Sequence, residues 1–120
     1  MGCDIHMVRE ERGNDKWLGT DIMDIDRNYA YFGALAGVRE EDIKHIPPRG
    51  IPDDASGTYR DLVEYWGADA HSHSYLSSKE MQEALTVCKE WSPIFIPPMG
   101  LSSAAYDEGN NVRYCFFFDN

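Results

Sequence analysis

The run Val112-Arg113-Tyr114-Cys115-Phe116-Phe117-Phe118 constrains the fold of this chain more than any other stretch. A β-branched residue and four aromatics in one unbroken segment read as a strongly apolar strand. A second strand signal lies at residues 3 to 9, where Cys3, Ile5 and Met7 alternate with Asp4, His6 and Val8 and so take opposite faces. Glu11 to Asp15 reads as a turn and Lys16 to Thr20 as a short returning strand carrying Trp17, which makes a hairpin. Antiparallel partners bring opposite ends together. If the late strand pairs this way with the first, Asp119 lies beside Asp4.

Helix signals separate these strands. Asp26 is placed to cap a helix over Arg27 to Ala36, with Tyr31, Phe32 and Leu35 on its apolar side and Gly37 as its stop. From His45 to Gly57 the run HIPPRGIPDDASG carries too many prolines and glycines for helix or central strand, and reads as an ordered loop. Tyr59 to Trp66 predicts a short helix ending at Gly67, followed by a polar connecting segment from Ala68 to Ser74. Ser77 with Glu80 forms a capping box, and Met81, Ala84, Leu85, Cys88 and Trp91 then follow on one stripe, predicting a helix from Ser77 to about Trp91. Gly100 to Asn111 reads as loop. These elements imply an α+β fold, a small antiparallel sheet built from the hairpin and the late strand and packed by two or three helices, most simply on one face. With 120 residues, 42% of them hydrophobic, residues 1–120 are expected to form a single domain.

Twenty-one acidic against eleven basic residues give a formal charge of −10, which argues against generic nucleic-acid binding, since that needs clustered Lys and Arg. No apolar run approaches a membrane span, and the opening MGCDIHMVRE lacks the features of a secretory signal, so a cytoplasmic protein without membrane association is expected. The opening Met1-Gly2-Cys3 does not complete an acylation signal, which wants Ser or Thr where His6 stands. Three cysteines without CxxC spacing, Cys3, Cys88 and Cys115, are expected to be free thiols. No nucleophile elbow, P-loop or Rossmann glycine pattern is present.

The chemistry is concentrated in two blocks, Asp4-Ile5-His6 and Asp69-Ala70-His71-Ser72-His73. In extended backbone alternate side chains share a face, which groups Asp4 with His6 and Asp69 with His71 and His73. Imidazole and carboxylate donors suit a divalent transition metal such as Zn²⁺, Mn²⁺ or Fe²⁺. Asp4, His6, Asp69, His71 and His73 are therefore candidate ligands, with Asp119 the best addition. Solvated strand and loop residues with local hydrogen bonds are the competing account of the same positions. Arg27, Asn28, Arg49 and Tyr75 are candidate substrate contacts, Arg27 in a helical first turn where an anion is favoured and Arg49 in the proline-flanked loop. Arg39 is the third arginine of interest. Tyr29, Tyr31, Tyr65, Trp66 and Tyr75 are candidates for lining a ligand pocket, although aromatics at helical positions are more often core.

DAHSHS resembles the first metal-binding motif of PHP-type phosphoesterases, and HxH also occurs in amidohydrolases, but too little chain follows His73 for the barrels on which those families build. More of the chain resembles a family of small bacteriophage and prophage proteins. The resemblance is carried by MGCDIH, by RNY at 27–29 and LAGVR at 35–39, by PRGIPDD at 48–54, by DAHSHSYL at 69–76 and by the closing FFFDN. It implies that these blocks form one site. Two functions are expected from the residues, beside a metal-stabilised structural module without turnover. The first is a metal-dependent hydrolase of a small phosphorylated or nucleotide-like substrate, in which an unligated Asp69 or His73 acts as base and an arginine steadies developing charge. The second is a non-catalytic phage protein in the host cytoplasm that sequesters a nucleotide signal or occludes a host protein, for which the acidic surface is suited.

Overall fold

The computed structural model describes residues 3–13, 15–23, 25, 29–39, 42, 45–87 and 111–119. In chain order the elements are β1 (Asp4–Gly13), β2 (Lys16–Met23), α1 (Tyr29–Ala36), α2 (Gly57–Trp66), a 3-10 turn (Gly67–Asp69), β3 (Ala70–Ser77), α3 (Ser78–Val87) and β4 (Val112–Asp119). The strands form one antiparallel sheet in the order β2-β1-β4-β3. This is the α+β architecture that the patterning predicts, with one more strand. Among the described residues no helix is long and apolar enough to cross a membrane.

The hairpin is longer than its alternation suggests. Gly13 pairs with Lys16, and Asp15 takes φ +66°, the left-handed conformation that a two-residue hairpin turn requires and that Asp tolerates. β4 lies between β1 and β3, and its consecutive apolar residues serve two cores. Tyr114, Phe116 and Phe118 join Ile5, Met7 and Leu76 beneath α1 and α3, whose Phe32, Leu35, Met81 and Ala84 are buried there. Cys115 and Phe117 join Val8 and Tyr59 on the other face, with Leu62, Val63 and Trp66 of α2 packed against them. Helices therefore cover both faces, not one. The reason is β4 itself, because a strand apolar at consecutive positions needs cover on each side.

The segment expected to be a polar connection is largely strand β3. It is an edge strand, and the proline-rich loop runs along its free side: Gly50 N–H donates to His73 O at 2.8 Å, Arg49 N–H to Ser74 Oγ at 3.0 Å and Arg49 Nη1 to Tyr75 O at 3.0 Å. The loop thus satisfies backbone groups that an open edge would leave unpaired.

Helix ends follow local chemistry. Ser56 caps α2 by accepting the Tyr59 N–H at 3.2 Å, which starts the helix two residues before the predicted Tyr59. α1 is described from Tyr29; Asp26, its predicted cap, lies outside the described residues, as do Arg27 and Asn28. Gly37 ends α1 with φ +73° and an N–H bond to Gly33 O at 2.8 Å, and a side chain there would collide with the His45 imidazole. The capping box of α3 is present, with Glu80 N–H to Ser77 Oγ at 3.1 Å and Ser77 N–H to Glu80 Oε1 at 2.9 Å. Met81 and Ala84 of its predicted stripe are buried, whereas Cys88 and Trp91 lie outside the described residues. Ser77→Ala is expected to lower stability by about 1 kcal/mol in urea unfolding, the ordinary worth of an N-cap.

Candidate functional site

The candidate residues gather where β1 begins, β4 ends and β3 begins. Cross-strand register sets them in rows. Asp4 pairs with Asp119 and Asp119 with Ala70; Ile5 pairs with Phe118 and Phe118 with His71; His6 pairs with Phe117. The antiparallel pairing expected to put Asp119 beside Asp4 is thus the observed one, and β4 joins the two acid-histidine blocks.

On the α2 face, Asp4, His6 and Asp119 are close neighbours. His6 Nε2 is hydrogen-bonded to Asp119 Oδ2, with the two side chains 21% and 16% exposed. The imidazole also packs against Trp66, with ring centroids 4.4 Å apart, and against Phe117 at 5.2 Å. Asp4 is exposed, directly across from Asp119. Two carboxylates thus stand in direct cross-strand register, an arrangement that a cation between them would favour.

The second block is arranged differently from its expected alternation. His71 pairs with Phe118 but Ser74 with Phe116, so Ser72 and His73 together oppose Phe117 in a bulge, with Ser72 at φ +56°. The bulge reverses the side-chain alternation. His71 stacks on Phe118, whereas His73 packs on Phe117 with centroids 5.3 Å apart, so the two imidazoles belong to opposite faces. Asp69, in the 3-10 turn, is exposed and outside the strand pattern altogether. The face shared by Asp69, His71 and His73 in the sequence reading is therefore corrected. His73 shares the α2 face with His6, but Phe117 stands between them, at two strand spacings or about 10 Å.

The Nε2 atoms of His71 and His73 are shut off from solvent without a hydrogen-bond partner among the described residues, while His71 Nδ1 lies 3.0 Å from Ser72 Oγ. Burial, and then the charge of His71, hold the His73 imidazole below its ordinary pKa and so favour its neutral form. Among the described residues no three His, Cys, Asp or Glu side chains converge as a ready-made metal site. Asp4, His6 and Asp119 are the candidates that lie together, Asp4 across from Asp119 and His6 hydrogen-bonded to it.

Of the substrate candidates, Arg27 and Asn28 lie outside the described residues. Arg49 makes a bidentate pair with Glu80, at 2.9 and 2.6 Å, and its guanidinium lies 5.3 Å from the Tyr75 ring centroid. Its charge is already neutralised. Hydrogen bonding to Glu80 raises the Arg49 pKa, and the same pair lowers that of Glu80. Arg49 and Tyr75 thus join the loop to β3 and α3.

Of the aromatic pocket candidates, Trp66 forms one wall of the His6 site. A second polar centre, missed from sequence, lies deeper. Glu10 is fully buried and accepts from Arg113 Nε at 2.6 Å, Ser56 N–H at 2.7 Å and Cys115 Sγ at 3.1 Å. Arg113 also contacts Asp54 Oδ1 at 3.0 Å and lies 4.0 Å from the Trp17 ring centroid. Burial and the adjacent Glu10 raise the Cys115 thiol pKa, so Cys115 serves as a buried donor and not as a nucleophile.

Comparison of the chain with known protein families, curated proteins and solved structures finds no match.

Proposed function

We propose that this is a divalent-cation-dependent hydrolase of a small nucleotide-like substrate, encoded by a phage or prophage, with its centre at Asp4, His6 and Asp119. One observation carries the reading: two carboxylates in direct cross-strand register, with an imidazole already bonded to one of them. Two oxygen donors and one nitrogen suit Zn²⁺, Mn²⁺ or Fe²⁺, and leave room for substrate in the coordination shell. A bound ion supplies Lewis acidity and negative-charge stabilisation at that position. His6 and the two carboxylates would hold the ion, and Trp66 with Phe117 restricts water on the imidazole's flanks. His73, held neutral on the far side of Phe117, is the candidate base; its Nε2 is free to act only if substrate binding opens that side.

Calorimetric titration with Zn²⁺ and Mn²⁺ tests the cation centre. Wild type is expected to bind one equivalent. Asp4→Asn/Asp119→Asn is expected to weaken binding by more than about tenfold, and His71→Ala, on the opposite face, to leave it unchanged. Absence of binding by wild type, or equal binding by the double variant, would overturn the centre. A cation bound without turnover of any phosphoester would instead favour the non-catalytic binding protein.

A further inference from the structure

Tyr65 is 80% exposed in the last turn of α2, and no other aromatic side chain whose burial is described is exposed. It is not a core residue. Its ring stands at 82° to that of Trp66, with centroids 5.7 Å apart, and Trp66 in turn rests against His6. A line of rings therefore runs outward from buried Phe117 through His6 and Trp66 to Tyr65. Two rings at near right angles make the walls of a corner, in which a flat molecule stacks on one wall and meets the other with its edge.

We propose that Tyr65 and Trp66 form a stacking corner for the heterocycle of a nucleoside, beside the Asp4, His6 and Asp119 centre. The inference deepens the hydrolase reading and rests on it for the fate of the bound molecule. Charge selects the ligand class. Glu64 and Asp69, exposed and near the pair in sequence, add to a formal charge of −10 that repels phosphate, whereas ribose hydroxyls and exocyclic amino groups are donors that carboxylates accept. The arginine expected to take an anion, Arg49, is paired with Glu80. In the absence of a cation the corner therefore favours an uncharged, donor-rich heterocycle over its phosphate ester.

The test is NMR titration of the full chain in EDTA with adenosine, cytidine and their 5′-monophosphates. Adenosine or cytidine is expected to bind saturably and more tightly than its monophosphate. Tyr65→Phe should retain affinity within about twofold and Tyr65→Ala should weaken it by roughly tenfold or more, the usual scale of a lost base-stacking contact. Nucleoside binding is read in EDTA and cation binding without nucleoside, so a failed cation centre and a failed stacking corner give different results. No saturable binding by either nucleoside, or equal binding by Tyr65→Ala, overturns the proposal. So does a concentration-dependent dimer that Tyr65→Ala abolishes in the absence of any nucleoside effect, since the corner then belongs to a second copy of the chain.

Discussion

Glu10→Ala is expected to destabilise the protein by about 3–5 kcal/mol, the range for removing one partner of a buried ion pair, and to lower Tm by roughly 10–20 °C. The substitution strands the largely buried Arg113 charge, with only Asp54 left to face it among the described residues, and leaves the Ser56 N–H at the start of α2 without its acceptor. Calorimetry or urea unfolding measures the loss. Glu10→Ala/Arg113→Met should lose less than Glu10→Ala, because the uncompensated charge is gone; an equal or larger loss would show that packing, not charge, dominates. The pair also gives stability a pH dependence of definite sign. Burial raises the Glu10 pKa, but hydrogen bonds from Ser56, Arg113 and Cys115 outweigh it and leave the carboxyl below its ordinary value. A depressed folded pKa means that the contribution is complete above the unfolded glutamate value and is lost as pH falls through the lower folded one. Glu10→Gln should accordingly flatten the acid limb of the stability profile.

Phe117→Ala is the second large effect, expected at about 3–5 kcal/mol from lost burial and the cavity left behind. Phe117 is fully buried beneath α2 and contacts Tyr59, His6 and His73, so the cavity opens in the middle of the site-bearing face. Phe117→Leu should cost less than about 1.5 kcal/mol, since most of the volume is kept. Urea unfolding of the two variants separates the cases. A small loss for Phe117→Ala would mean that α2 closes over the gap or was never packed on this face.

What the sequence made readable was local or set by strand register. The α3 capping box is a four-residue signature whose two hydrogen bonds depend on nothing outside it. Asp119 could be placed beside Asp4 because antiparallel pairing of two strong strands leaves few alternatives. β3 was not readable. Its His and Ser residues have weak strand propensity, and its bulge at Ser72 is sustained by partners on β4 and by the loop at Arg49 and Gly50. That one extra residue parted His71 from His73, and the 3-10 turn took Asp69 out of the strand. Glu10 stands in a charged run, Arg9 to Arg12, and reads as surface; only Arg113, 103 positions away, explains its burial. The two-sided burial of β4 was present in its consecutive apolar residues, but the simplest one-faced packing concealed it.

The cation centre is tested most directly by ring-nitrogen NMR of the histidines during Zn²⁺ titration. At one equivalent His6 Nε2 is expected to move to a metal-bound shift while His71, on the opposite face, does not respond. A titration in which His6 stays unchanged, or in which His71 responds in its place, would contradict it.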